Sequence, residues 1–181
     1  MTGLFPCVLV MNIHPPFVQR WAYFRDDWSH ALTKICTFFG HRECILNPKE
    51  IEKLTNTIRF LIQIRKINRF CVGGMGDFDK IVTSIIKKLK KEFPNIKLEL
   101  ALAYLPKNKI KYEKDLNVYD NVFLPENIEL SPPKFAIVKR NKLMVIRSDY
   151  IICYIRYQFG GAYNAVNFAK SQNKTIFNIA T

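Results

Sequence analysis

The sequence predicts an α/β fold: a three-layer α/β/α domain with a mainly parallel sheet. Three observations predict it. From residue 34 onward, short apolar runs alternate with segments of helical periodicity. The runs are nearly continuous in apolar character, as strands covered on both faces are. Glycines stand where runs pass into helices, at positions 40, 73, 74, 76, 160 and 161.

Residues 34–40 (KICTFFG) form a short apolar run closed by glycine, a buried-strand signal. Asn47, Pro48 and Glu50 then supply an N-cap, a proline at the first helical position and a capping-box acid. Ile51, Leu54, Ile58, Leu61 and Ile62 recur at helical spacing to about Lys66. Residues 69–72 are a second strand, ended by glycines. Phe78, Ile81, Val82, Ile85, Ile86, Leu89 and Phe93 make one apolar stripe, and Pro94 is expected to stop that helix. Residues 96–103 (IKLELALA) alternate like a strand. A long polar, lysine-rich loop is expected over 104–118, then a short strand at 121–124 and a helix over 134–147. Residues 150–155 are a continuous apolar strand, Gly160 and Gly161 open a last helix, and 175–179 is a final strand.

The domain so read spans 34–181. Residues 1–33 fall outside the pattern as an N-terminal extension of unknown role. Within it WAYFRDDWSHALTK is read either as a short aromatic helix packed on the domain or a partner, or as an extension without function.

Composition narrows the function classes. With 181 residues, 49% of them hydrophobic and 24% charged, the chain is long enough to bury a core. No stretch reaches the roughly 18–20 apolar residues of a membrane span. The early run LFPCVLVM lacks a basic flank and a cleavage site, so a cytoplasmic protein is expected. Cys7, Cys36, Cys44, Cys71 and Cys153 form no CxxC pair and read as small core residues in a reducing compartment. His14, His30 and His41 have no metal spacing; neither metal nor cofactor is expected. The net charge is +13, and sixteen basic against eight acidic residues lie between 46 and 118. Such a field favours anionic partners and also aids solubility, so charge alone does not choose between them.

In an open parallel sheet, ligands bind beyond the carboxyl ends of the strands, near the point where strand order reverses. Four stretches fall at such ends: TFFGHR, VGGMGDFDK, KRNKLMVIRSDYIICY and FGGAYNAVNFA. In that order they resemble the SLOG superfamily, the Rossmann-like group uniting DprA/Smf DNA-processing proteins with the cytokinin-activating LOG phosphoribohydrolases. The nearest resemblance is to its small YpsA-like bacterial branch, over about residues 34–180. It implies a Rossmann-like sheet, a nucleotide-type ligand and a homodimer.

LOG enzymes carry a PGGxGTxxE loop and an arginine on the preceding helix. Arg140 occupies the place of that arginine and Gly160 and Gly161 match the paired glycines. Tyr163 and Asn164 stand where Gly-Thr would be, and the glutamate region falls on Val166 and Asn167. Glycosidic cleavage needs acid/base help at an oxocarbenium-like centre, so the missing carboxylate argues against LOG-type hydrolysis. Asp149 would replace it only by facing the crevice; it fits equally as a cap at the start of a strand.

The two glycine turns differ electrostatically. A helix N-terminus attracts phosphate. Asp77 and Asp79 follow the first turn, and a phosphate alongside a carboxylate at 4 Å would cost about 1–4 kcal/mol. The second turn has no acid. The expected phosphate seat is therefore Gly160, Gly161 and Ala162, with Asn164 beside it. Arg140 and Arg42 are its expected cations, with Gly40 and Asn141 nearby. Gly73, Gly74, Gly76 and Asp77 are expected to wall the sugar or base. His41 is read either as catalytic or as bonded to neighbouring backbone. The expected function is binding of a nucleotide or nucleotide-derived ligand by a non-catalytic sensor or sequestering protein. The alternatives are a LOG-type nucleotide N-glycosidase and a DprA-like single-stranded nucleic-acid binder. The lysines of the 78–93 helix bear on the latter, though they lack interleaved aromatics.

Overall fold

The computed structural model describes residues 34–104, 117–126, 128 and 130–181, with the backbones of strands Val8–Met11 and Ala22–Phe24. Eight strands form one sheet: β1 (Val8–Met11), β2 (Ala22–Phe24), β3 (Ile35–Gly40), β4 (Arg69–Val72), β5 (Lys97–Ala101), β6 (Asn121–Pro125), β7 (Tyr150–Tyr154) and β8 (Thr175–Asn178). The helices are α1 (Pro48–Gln63), α2 (Asp77–Leu89), α3 (Pro133–Arg147) and α4 (Gly160–Ser171). The spatial order is β2-β1-β6-β5-β4-β3-β7-β8. From β6 to β8 all pairs are parallel.

The parallel strands read as continuous apolar runs because both faces are covered. Cys36, Phe38, Phe70, Val72, Ile152 and Tyr154 pack with Leu54, Ile58 and Leu61 of α1 and with Phe78, Val82 and Ile86 of α2. Their neighbours Phe39, Cys71, Ile151 and Cys153 pack with Met144 and Val145 of α3 and Ala165, Val166 and Ala169 of α4. Period-two alternation thus distributes one apolar run between two cores. Each fully buried large side chain contributes about 1.5–3 kcal/mol. Burial pushes the Cys71 and Cys153 thiols up to about 12 and raises Cys36 well above its ordinary value, which leaves all three protonated and inert.

Local signals set the helix starts. Asn47 Oδ1 accepts the Glu50 N–H at 2.9 Å, and Glu50 Oε2 accepts the Asn47 N–H at 2.9 Å, closing the expected capping box ahead of Pro48. The stop of α2 comes earlier than Pro94. The helix ends at Leu89, and the Lys91 and Glu92 N–H groups turn onto Lys88 O and Leu89 O. Three-residue turns of that kind tighten a helix end and swing Phe93 back onto the core.

Two sequence expectations change. Residues 22–24 are a strand, in a segment read as either a short helix or an extension without function, and β1 joins the sheet by pairing antiparallel with β6 and β2. Strands of three and four residues carry too little periodicity to read, and backbone pairing on the β6 edge decides their place. The rest of WAYFRDDWSHALTK lies outside the described residues, as does most of the expected lysine-rich loop, at 105–116.

Strand order reverses between β3 and β7. Their carboxyl ends, flanked by α3 and α4, open the crevice that such a reversal creates.

Candidate functional site

A cavity of about 230 Å³ occupies this crevice. Gly40 and Arg42 reach it from the end of β3, and Gly73 from the end of β4. Arg140 and Asn141 come from α3, and Gly160, Gly161 and Ala162 from the start of α4. Most of the expected ligand contacts, distant in sequence, therefore line one space. Gly74, Gly76, Asp77 and Asn164 do not line it.

The α4 end of the cavity is the more open. Phe159 takes the N-cap position and makes no side-chain cap, and the first turn contains no acid. The ordinary capping residues have an oxygen for this purpose and phenylalanine has none. Gly160 has φ 91°, a left-handed conformation that favours glycine, and a Cβ there would meet nothing within 4 Å. Gly161 also faces open space. Neither crowding nor a positive φ accounts for glycine at 161, whereas close approach of a ligand to the backbone would.

The α2 end is occupied by the protein's own anion. Asp79 accepts the Met75 N–H at 2.7 Å and a hydrogen bond from the Gly73 backbone. Burial raises its pKa, and those bonds together with the Arg140 charge pull the other way. The amides a phosphate would use at the first glycine turn are thus engaged by this carboxylate. Asp77 turns outward to Lys80 at 2.9 Å; that bond, more than any other influence, lowers its pKa. Its N–H donates to Arg42 O at 2.8 Å, tying the two loops together.

Arg140 is buried, and its Nη1 donates to Gly73 O at 2.6 Å and Ala101 O at 2.9 Å. Its charge sits in the cavity wall while its fork holds the ends of β4 and β5 together. Gly73 has to be glycine for this, because a Cβ would collide with Arg140 Nη1. Arg42 is exposed at the rim, and its guanidinium makes no ion pair among the described residues.

His41 bonds to backbone. Its Nε2 accepts the N–H groups of Arg156 at 3.0 Å and Tyr157 at 3.3 Å, and desolvation lowers its pKa. A nitrogen that accepts two amides is unprotonated, so the neutral imidazole organises the loop after β7. Asp149 is the strand cap: its carboxylate accepts the Ile35 N–H at 2.8 Å, at the amino end of β3 and away from the crevice. Val166 is buried in the core.

Sequence reasoning passed over Asp79 and Phe159 as site residues, and also a second cavity. Asp79 was legible only as an acid near a helix start, since the fold bends it back over the turn. The second cavity, of about 510 Å³, runs along the outer face of α2. Lys80, Lys87, Lys88 and Lys91 line it together with Thr83, Ser84, Gly74, Asp79, Val118 and Tyr119. Lys90, in the same sequence cluster, turns elsewhere and pairs with Asp120. Among the described residues no group of three metal-ligating side chains comes together. Among them, too, no helix is long and apolar enough to cross a membrane.

Fold and crevice together are those of a Rossmann-like α/β domain. Two DNA processing protein A (DprA) structures share the fold. The Streptococcus pneumoniae protein matches with a TM-score of 0.57 at 12% identity, over 84% of this chain and 52% of its own. The Helicobacter pylori protein, whose structure describes a single-stranded DNA binding mode, matches with 0.57 at 15% identity, over 80% of this chain and 64% of its own. The chain therefore spans about half of the first and under two thirds of the second. TM1055 matches with 0.50 at 10% identity, over 80% of this chain and 72% of its own. In sequence, the uncharacterized SPbeta prophage-derived protein YoqJ of Bacillus subtilis (strain 168) is 28% identical over 137 residues, 66% of this chain and 79% of YoqJ. No protein-family model matches.

Proposed function

We propose that the protein binds a nucleotide or nucleotide-derived ligand at the carboxyl ends of β3 and β7, as a non-catalytic sensor or sequestering protein of the YpsA-like kind. One observation carries this reading: the open, acid-free and uncapped start of α4 at the cavity where strand order reverses. Phosphate sits on the amides of Gly160, Gly161 and Ala162, where the helix dipole favours an anion. Arg42 closes on it from the rim, and Arg140 adds charge from the wall. The sugar lies toward Gly73 and Asn141. Binding without turnover suits the chemistry present, because the only crevice carboxylate among the described lining residues, Asp79, is committed to loop amides. The similarity to a prophage-derived protein supports a phage or bacterial-defence setting.

Titration calorimetry with nucleoside monophosphates tests the reading. Binding that falls at least about tenfold in Arg42→Ala, equivalent to about 1.4 kcal/mol, is expected. Free base accumulating in the same mixtures, and lost in Asp79→Asn, would instead show a nucleotide N-glycosidase.

The lysine-lined groove on α2 favours a second reading, single-stranded nucleic-acid binding. Tyr119 supplies an aromatic ring that the helix sequence lacks. This reading expects log affinity to fall linearly with log salt. The slope would be shallower in a Lys87→Ala, Lys88→Ala, Lys91→Ala variant and unchanged in Lys90→Ala. Absence of salt-dependent binding removes it.

A further inference from the structure

The crevice is smaller than the usual small-molecule site. Sites for small-molecule ligands enclose about 300–1,000 Å³, against about 230 Å³ here. A nucleotide with its phosphate and sugar inside would leave its base at the mouth. What stands there is aromatic. Phe159, in the cavity lining, is 69% exposed and Tyr157 is 56% exposed. Their rings stack with centroids 5.6 Å apart and planes 24° apart. Tyr157 in turn rests 5.2 Å from the His41 ring, which also lines the cavity. A stair of rings therefore leads from the crevice to solvent.

These rings are held in place. His41 Nε2 accepts two successive amides of the segment that bears them. Arg156 is anchored to Glu50 at 2.8 Å and lies over the Tyr154 ring at 5.2 Å. Ile155 exchanges hydrogen bonds with Asn178, its N–H to Oδ1 at 3.2 Å and its carbonyl from Nδ2 at 3.1 Å. A segment so pinned could have turned its aromatics inward; it presents them outward, which marks a contact surface. Phe159 also immediately precedes Gly160 and Gly161. Its ring and those amides therefore stand side by side at the start of α4.

We propose that Phe159 and Tyr157 form a stacking platform for the aromatic base of the ligand, a role that rests on the nucleotide reading of the crevice. Flat π faces accept any base, so the platform supplies affinity more than base identity. The base thereby lies on the α4 side, away from Asp77.

Calorimetry on the full chain tests this with the four common nucleoside monophosphates and with ribose 5-phosphate, which has no base. The wild type is expected to bind at least one nucleotide more tightly than the sugar phosphate. Phe159→Ala is expected to weaken that nucleotide roughly 5- to 100-fold, to leave ribose 5-phosphate within twofold, and to keep the wild-type melting temperature. Phe159→Trp is expected to restore affinity and to show fluorescence quenching on nucleotide addition. Unchanged nucleotide affinity in Phe159→Ala overturns the platform alone, as does equal loss for ribose 5-phosphate. A fall in oligomeric mass in Phe159→Ala assigns the rings to a second copy and also overturns it. A wild type that binds none of these probes overturns the nucleotide reading and the platform with it.

Discussion

Gly73 and Gly161 stand at carboxyl ends of the same sheet, and their surroundings give them different tasks. Gly73 leaves room for a guanidinium of the protein, whereas Gly161 leaves room that no described residue fills. Gly73→Ala forces Arg140 off Gly73 O and Ala101 O, a strain of about 1–3 kcal/mol. For a chain of this size each kcal/mol lowers Tm by about 2–4 °C. Gly161→Ala adds a methyl group in open space at a helix start, so Tm is expected to hold or rise, while nucleotide affinity falls. Thermal melts beside calorimetry check both; a Gly161→Ala protein that binds as well as the wild type would remove the phosphate from this turn. At this scale the sequence showed which residue types were available but not what they face. Arg140 was legible as a cation in the right helix, yet its partners, Gly73 O and Ala101 O, lie 67 and 39 residues away. Asp77 and Asp79 look alike in the sequence, and only the turn of α2 sends one outward to Lys80 and the other back onto the loop.

Elements are joined around Glu50. This fully buried carboxylate accepts from Asn47 N–H at the start of α1, from Arg156 after β7, and from the Thr181 N–H and hydroxyl at 3.3 and 3.2 Å. Burial alone would raise its pKa, but the bonds from Asn47, Arg156 and Thr181 bring it down from 4.5 to about 2. A carboxylate depressed in the folded state contributes stability that is complete above about 4.5 and is lost as pH falls toward 2. Urea melts across that window are expected to show a steep loss in the wild type and a flatter profile in Glu50→Gln, which is also less stable at pH 7. Parallel profiles would mean that Glu50 does not link these elements. The capping box itself was legible, because its partners are three residues apart. The ties to Arg156 and Thr181 were not, because they arise only when α1, β7 and the C-terminus meet.

At the scale of the whole molecule, α3 carries apolar side chains that no described residue covers. Phe135, Val138 and Ile146 lie along one face of α3 and are 62, 47 and 51% exposed. On the homodimer expectation, this face is where a second copy packs. A Phe135→Glu, Val138→Glu variant is then expected to halve the mass measured by light scattering without loss of helical signal. A mass that does not change, or a wild type that is already monomeric, excludes this interface.

The sequence by itself determined the parallel α/β order, the helix starts and the set of residues at the carboxyl ends of the strands. Hydrophobic period, capping residues and glycine turns are local, and each is written within a few neighbouring positions. Only the tertiary structure decided that strand order reverses between β3 and β7. That reversal sets Gly40, Arg42, Arg140 and Gly161 around one cavity, fills the first glycine turn with Asp79 and leaves the second open beside Phe159. Those outcomes depend on contacts between residues tens of positions apart, whose geometry is fixed by packing against a closed core and not by sequence spacing.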